Sequence, residues 1–156
     1  MRRYIRRREE DQQVSEVIQV GSQHYILATS SRADGRTWVL KSGDAFAVVD
    51  RYGDIQPLGL GEQGLYYEGT RFLSRLEVEL EGQRPMLLSS QVREGNELLA
   101  VDLTNADIVK EDRVVVPRHS LHVFRSKFLQ DGSCFERFLV RNHTMQPQHA
   151  VLHVRF

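Results

Sequence analysis

Turn signals at nearly regular spacing constrain the fold of this chain more than any other feature. Short segments rich in glycine, aspartate and asparagine recur along it, and apolar runs rich in Val, Leu, Phe and Tyr lie between them. The signals are ADGR (33–36), SGD (42–44), YGD (52–54), EGQ (81–83), EGN (94–96) and QDGS (130–133). A spacing of about 8–12 residues between such signals is typical of β-sandwiches and barrels. We therefore predict an all-β fold, an antiparallel β-sandwich.

The apolar runs predict the individual strands. Clear examples are TWVLK (37–41), AFAVVD (45–50), MLLSSQV (86–92) and ELLAVDLT (97–104). The segment RFLSRLEVEL (71–80) alternates apolar and polar residues, which predicts one long strand with Leu76, Val78 and Leu80 facing the core. The last three runs, 119–130, 133–142 and 149–156, predict a three-stranded meander.

Composition indicates an ordinary globular domain without a nucleic-acid partner. The chain has 156 residues, with 21 basic and 21 acidic side chains, and a nucleic-acid-binding domain would normally carry a basic excess. Residues 1–13 carry five arginines followed by three acids, and we predict a charged, frayed tail there and a β-sandwich over 14–156. The single cysteine excludes an internal disulfide and fits a reducing compartment. No apolar stretch follows the basic start, so we expect a cytoplasmic, non-membrane protein.

Residues that could carry chemistry form no recognisable catalytic or metal motif. The histidines of the last third, at 119, 122, 143, 149 and 153, lie on predicted strands, where spacings of three and four residues do not converge on one ion. Cys134 alternates with Phe138 and Val140, which predicts a core position rather than a nucleophile. No acid pair is marked by a motif. We therefore predict no catalytic residue, no cofactor and no metal within this chain.

Exposed aromatic side chains are the best candidates for a binding surface. Trp38 lies within a clean strand run and is predicted to pack in the core. Tyr66 and Tyr67 lead into the segment EGTR, and one of them is expected to be exposed. Because a flat ring can stack on a sugar and exposed aromatics also mark interfaces, Tyr66, Tyr67 and Arg71 are predicted as a sugar or interdomain contact.

Two segments of the sequence resemble a known family. WVLKSGDAFAVVDRYGDI (38–55) and GLYYEGTRFLSRLEVELEGQRPMLLSS (64–90) are similar to the N-terminal domain of bacterial and archaeal-type glycogen debranching enzymes, also described as amylo-alpha-1,6-glucosidases. The shared features include Gly64, Tyr66, Thr70-Arg71, the Gly82 hairpin and the run Leu87–Ser90. The resemblance implies a β-sandwich of the supersandwich type that precedes an (α/α)6 catalytic toroid, in which the catalytic carboxylates lie.

The resemblance implies a role for the domain and a larger protein around it. We expect a non-catalytic accessory domain that packs on the toroid and shapes its cleft, with alpha-glucan as a further possible partner. We also expect the chain to be the front of a longer enzyme, truncated at its C-terminal strand, HAVLHVRF (149–156). The alternatives are a free-standing carbohydrate-binding module and a protein-interaction domain. If Leu152, Val154 and Phe156 line an open edge, the chain should self-associate through residues 149–156.

Overall fold

The computed structural model of this chain describes residues 17–20, 23–26, 36–57, 62–93 and 95–156. The chain divides into two compact units, Met1–Asp34 and Gly35–Phe156. The first unit contains an antiparallel hairpin of β1 (Val17–Val20) and β2 (Gln23–Ile26). The charged tail predicted for 1–13 lies outside the described residues, so it stays a prediction.

The second unit consists of short strands joined by turns, and all its strand pairs are antiparallel. Its strands are β3 (Thr37–Ser42), β4 (Ala45–Asp50), β5 (Gly64–Tyr67), β6 (Thr70–Leu73), β7 (Glu77–Leu80), β8 (Met86–Val92), β9 (Leu98–Thr104), β10 (Ile108–Lys110), β11 (Arg113–Val116), β12 (Leu121–Gln130), β13 (Ser133–Asn142) and β14 (Leu152–Arg155). The described residues include no helix. The predicted all-β, antiparallel fold class is confirmed.

Two four-stranded sheets form the body of the second unit. The first sheet has the order β3-β4-β5-β6, and the second sheet has the order β13-β12-β9-β8. Two smaller pairs, β10 with β11 and β14 with β7, accompany them. Strands that are adjacent in sequence are mostly adjacent in space, because two-residue turns can join only antiparallel neighbours.

The two large sheets share one apolar core, as a sandwich requires. The inward residues of the first sheet are Leu40, Ala45, Ala47 and Val49, and those of the second sheet are Leu99, Val101, Leu103, Val123 and Leu129. Each set occupies alternate positions of its strands, which is the period-two burial expected when one face of a sheet is covered. Trp38 packs against this cluster as predicted, and its Nε1 donates to Ser90 Oγ at 2.8 Å.

The predicted strand 71–80 is two strands, so the prediction of one continuous element was wrong. β6 ends at Leu73 and β7 begins at Glu77; β6 pairs with β5, whereas β7 pairs with β14. Leu76, Val78 and Leu80 are buried as predicted. Burial does not follow the alternation through the break, because Phe72 is 67% exposed and Leu73 packs on the core, so the inward row changes from odd to even positions between β6 and β7.

The predicted meander was also wrong in its third strand. β12 and β13 form the expected hairpin, but β14 pairs with β7, with Val154 opposite Val78. Leu152 packs on a second, smaller cluster formed by Leu80, Ile108, Val116 and Leu121. Val154 and Phe156, expected to face inward, are 38% and 80% exposed. Self-association through residues 149–156 stays a prediction.

Candidate functional site

The three residues predicted as a contact site lie on the β5–β6 hairpin, but they face different surroundings. Tyr66 and Arg71 are directly opposite each other in the strand register, and Tyr67 is opposite Thr70. The ring of Tyr66 stacks on Phe46 with centroids 4.5 Å apart and planes 5° from parallel. Its hydroxyl donates to the carbonyl of Glu62 at 2.9 Å. Tyr66 therefore braces the segment that enters β5.

Arg71 has the same bracing role. Its Nη2 donates to the carbonyl oxygens of Gln63 and, at 3.4 Å, Ser74. A Cβ at position 64 would lie 2.7 Å from Arg71 Nε, so the close approach of this guanidinium requires glycine there. Tyr66 and Arg71 are thus engaged by their own hairpin and are not directed toward a ligand.

Tyr67 lines a shallow apolar groove at the rim of the sandwich. The groove has a volume of about 290 Å³ and is bordered by Tyr67, Phe72, Leu129, Ser133 and their neighbours. The side chain of Phe72 is 67% exposed and that of Tyr67 is 38% exposed. Gly132 forms part of the wall, and a Cβ there would lie 3.2 Å from the Tyr67 ring. Of the predicted residues, Tyr67 is the one that is both exposed and beside a groove.

A network of buried charges lies between the two large sheets, and the sequence analysis did not predict it. Its first half is the loop DRYGD (50–54), in which Asp50 Oδ1 accepts from the backbone N–H groups of Tyr52 and Asp54 at 2.8 and 3.0 Å. Arg84 donates to Asp50 and, at 3.1 Å, to Asp54 Oδ2. The guanidinium of Arg84 also lies 3.6 Å above the Tyr52 ring. The ion pairs of Arg84 with Asp50 and Asp54 therefore hold both ends of this loop.

The second half of the network comes from β12 and β13. Arg125 is 1% exposed, and it donates to Asp54 Oδ1 and Glu136 Oε1, each at 2.5 Å, and to the carbonyl of Tyr52 at 2.8 Å. Lys127, also 1% exposed, donates to the carbonyl of Gly53 at 2.8 Å. Its ammonium lies 3.5 Å from Glu136. Three cations and three carboxylates thus neutralise one another in the core.

The network perturbs the titration of its members. Burial raises the pKa of Asp50, and the neighbouring Asp54 carboxylate raises it further, against the lowering effect of Arg84. Burial likewise lowers the pKa of Lys127, against the raising effect of Glu136. Perturbed pKa values also mark active sites. In this network every charged group forms an ion pair with an oppositely charged group inside packed protein. We therefore interpret it as a structural network and not as an active site.

A signal for this network is present in the sequence. Leu121, Val123 and Leu129 alternate along β12 and face the core, and the same alternation places Arg125 and Lys127 on that face. Two cations on a buried strand face require buried carboxylates. In the structure the loop DRYGD supplies two of these carboxylates, Asp50 and Asp54.

The lowered pKa of Lys127 predicts a distinct pH dependence of stability. Between its folded-state pKa and its ordinary value of 10.5, the unfolded chain binds more protons than the folded one, so stability should rise with pH in that alkaline window. We expect the free energy of unfolding of the natural chain to increase relative to that of Lys127→Met as the pH rises toward 10.5. Urea titrations of both proteins across this range measure the difference, each with Cys134→Ser, because Lys127 also acts on the pKa of that thiol. A constant difference would contradict the prediction.

Other polar clusters lie on the surface. Asp102 accepts from Ser89 Oγ at 2.8 Å and contacts His122 Nε2 at 2.9 Å, and His122 packs edge-on against His143. Here the carboxylate lies between the hydroxyl and the imidazole, so the histidine is not positioned to take a proton from Ser89 as in a catalytic triad. No three histidine, cysteine or acidic side chains of the described ranges gather as metal ligands.

Cys134 lies at the surface of the domain. Cys134 is exposed, so the predicted core position was wrong. The reason is that β13 is an edge strand, and its inward row extends past the opposing sheet; Val140 in the same row is 50% exposed.

In the part of the chain that the structure describes, no helix has the length and apolar character to cross a membrane.

The outer face of the second sheet carries an apolar surface, which we call the outer patch. It comprises Leu98, Phe124, Phe128, Phe135 and Leu139. The rings of Phe128 and Phe135 stack at 4.9 Å, and Phe135 is 47% exposed. These five side chains belong to neither of the apolar clusters formed by the described residues. The Ser126–Arg137 pair divides the patch into Phe124 with Leu139 on one side and Leu98, Phe128 and Phe135 on the other. Apolar side chains with charged neighbours on a sheet face are a typical feature of an interaction surface.

Comparison with known proteins gives one match. A family model described as the N-terminal domain of (some) glycogen debranching enzymes matches residues 40–156. Searches of curated proteins and of solved structures return no match. The matched range includes the second large sheet, the first large sheet from Leu40 onward, the buried charge network, the groove and the outer patch.

Proposed function

This chain belongs to the family of N-terminal domains of glycogen debranching enzymes, and we propose that it is a non-catalytic accessory domain that packs on an (α/α)6 catalytic domain and shapes its substrate cleft. The observation that carries the proposal is the outer patch, since it offers three phenylalanines and two leucines on one sheet face. Burial of such a surface against a partner is favourable by roughly 25 cal/mol per Å² of apolar area.

The charged groups of the domain support a non-catalytic role. Glycoside hydrolysis needs two carboxyl groups that face each other across the scissile bond, with room for a sugar between them. Asp50, whose pKa is raised by burial, is 8% exposed and is bound by Arg84 and by backbone N–H groups. Its neighbour Asp54 is 1% exposed and bound by Arg84 and Arg125. Neither carboxylate is accessible to a glucan.

The purified chain alone should therefore release no glucose from glycogen, pullulan or malto-oligosaccharides. The control is the same assay with a debranching enzyme that carries its catalytic domain. Glucose release by the chain alone that disappears on replacing Asp102 or another exposed acid would contradict the non-catalytic role.

A second candidate function is an alpha-glucan contact at the groove of Tyr67 and Phe72. Both aromatic side chains are exposed beside a concave surface, and an aromatic ring can stack on the apolar face of a glucose unit. The two candidates are compatible, because the groove and the outer patch consist of different residues. Isothermal titration with maltoheptaose, on the natural chain and on Phe72→Ala, tests the glucan contact.

Hydrogen exchange tests the packing proposal. The chain is compared alone and in a protein that also contains the (α/α)6 catalytic domain, and we expect increased protection in β12 and β13. The variant Phe128→Ser/Phe135→Ser should weaken that protection, whereas Met145→Ser, at a side chain that is 98% exposed and outside the patch, should leave it unchanged. Protection confined to other strands would exclude the outer patch as the contact.

A further inference from the structure

β13 is a long, regular strand with one free edge. It spans ten residues, Ser133–Asn142, and β12 is the one strand within 17–20, 23–26, 36–57, 62–93 and 95–156 that pairs with it. Other sheet edges among the described residues are shorter or irregular: β6 and β14 have four residues each, and the register of β8 is interrupted near Leu88. Natural proteins protect long edges with charged side chains, prolines or bulges. β13 has no proline and no bulge, and its charged residues are Glu136, Arg137 and Arg141, so any strand that adds to this edge has to match those charges.

The turn that precedes β13 determines which backbone groups are free. Gln130 pairs with Ser133 across a two-residue loop in which Asp131 and Gly132 have φ of 49° and 73°. Positive φ at both loop positions defines a type I′ hairpin, which is closed by a hydrogen-bonded pair. Because hydrogen-bonded and non-bonded pairs alternate, the even-numbered residues direct their N–H and C=O groups away from β12. Glu136, Phe138 and Val140 therefore present unpaired backbone groups in a row.

The side chains along the edge define which strand would fit beside it. On the outer face, Phe135 and Leu139 alternate with Arg137 and Arg141. Both arginines are exposed, and neither forms an ion pair with a described residue. On the opposite face Phe138 and Val140 are apolar, and Glu136 is already bound to Arg125. Opposite charges in directly facing positions stabilise a strand pair, and like charges destabilise it.

We propose that the free edge of β13 binds an additional β-strand from a protein partner, and that this strand alternates apolar and acidic residues on its outer face. Its acids lie opposite Arg137 and Arg141, and its apolar side chains lie opposite Phe135 and Leu139. Backbone hydrogen bonds to Glu136, Phe138 and Val140 supply affinity, and the charge pattern supplies selectivity. This inference concerns the strand edge, so it does not depend on whether the outer patch contacts a catalytic domain.

A second copy of this chain fits the edge less well. The one acid within Ser133–Asn142 is Glu136, which lies on the inner face and is bound to Arg125. Two copies of β13 would therefore place each exposed arginine opposite a neutral side chain or opposite another arginine. An acidic strand from a different segment satisfies both charges, and a copy of β13 satisfies neither.

A pair of synthetic peptides tests the proposal. The first peptide alternates leucine and glutamate on one face and valine and threonine on the other; the second carries lysine in place of glutamate. Fluorescence anisotropy should show that the glutamate peptide binds the natural chain at least about tenfold more tightly than the lysine peptide. Arg137→Glu/Arg141→Glu should reverse this preference. On binding, exchange of the amide hydrogens of Glu136, Phe138 and Val140 should slow.

Val140→Pro is the discriminating variant. It removes an N–H that points away from β12, so it should block strand addition while the β12–β13 pairing persists, which circular dichroism and thermal unfolding verify. Equal binding of both peptides, or glutamate-peptide binding that survives Val140→Pro in a folded protein, would overturn the proposal. Light scattering on the chain without peptide tests whether a second copy of the chain occupies the edge. A dimer that Val140→Pro abolishes would assign the edge to a second copy and refute the acidic-strand partner.

Discussion

Replacing Arg125 with methionine is expected to lower the free energy of unfolding by about 3–5 kcal/mol. Arg125 is almost fully buried and donates to Asp54, Glu136 and the carbonyl of Tyr52. Methionine has a comparable volume, so packing is largely kept. Asp54 and Glu136, however, each lose one of two cations and keep only the more distant one, Arg84 or Lys127, and under-compensated buried charge is strongly destabilising. Urea unfolding followed by circular dichroism gives the difference directly.

A surface ion pair provides the matched control for Arg125→Met. Arg75 and Glu77 form a bridge of 2.6 Å, but the Arg75 side chain is 46% exposed. Arg75→Met should cost less than about 1 kcal/mol, because water already screens the pair. If Arg125→Met and Arg75→Met lower the free energy of unfolding by the same amount, burial does not explain the contribution of the network to stability. In addition, Glu136→Gln in the Arg125→Met background should be less damaging than in the natural chain, since it then removes a carboxylate that has already lost its closest cation and keeps only Lys127 at 3.5 Å.

The strands of this domain could be predicted from local pattern, and their partners could not. The runs 45–50 and 86–92 coincide with β4 and β8, because turn residues bound them and alternation marks their faces. Pairing is a long-range property. β14 adds to β7, about seventy residues earlier in the chain, and nothing in either segment distinguishes that partner from the adjacent β13. The break of 71–80 into β6 and β7 could not be predicted for the same reason, because β6 pairs with β5 whereas β7 pairs with the distant β14.

Burial at the ends of the sandwich was equally hard to predict. An alternating pattern indicates which side chains share a face, but it does not show how far the opposing sheet extends. Cys134 and Val140 share the inward row of β13 with Glu136, yet they are exposed because the row continues beyond the covering strands. The aromatic residues of the predicted contact site illustrate a related limit. Tyr66 and Tyr67 are adjacent in sequence and both border the groove, but Tyr66 is engaged by Phe46 and by the carbonyl of Glu62, whereas Tyr67 is exposed.

The charge network is the part of the structure that sequence could have revealed. Arg125 and Lys127 interrupt an apolar row on β12, and such an interruption predicts that carboxylates lie across the core. Which carboxylates these are depends on the packing of one sheet on the other. Asp54 and Glu136 are separated by 82 positions in the chain and meet at Arg125. Their identification therefore needed the three-dimensional structure.

Gly53→Ala is expected to have the second-largest effect on stability. Gly53 has φ of +81°, a conformation that costs an L-residue roughly 1–2 kcal/mol. An added Cβ would also lie 3.3 Å from Leu99 Cδ2 and 3.4 Å from Arg125 Cζ. Neither neighbour can yield easily, since Leu99 is packed in the core and Arg125 is bound to Asp54 and Glu136. Crowding in a packed core costs about 1–3 kcal/mol, so the total loss should be about 2–5 kcal/mol.

Gly43→Ala separates backbone strain from crowding at Gly53. Gly43 also has positive φ, at +58°, but a Cβ there would meet nothing within 4 Å. Gly43→Ala should therefore lose only the backbone contribution of about 1 kcal/mol, measured by urea unfolding under the same conditions. The excess loss in Gly53→Ala then reports how rigidly Arg125 and the carbonyl oxygens of Tyr52 and Gly53 are held. Equal losses in the two variants would mean that the network relaxes around an added methyl group, and the large effect expected for Arg125→Met would then have to come from its charge alone.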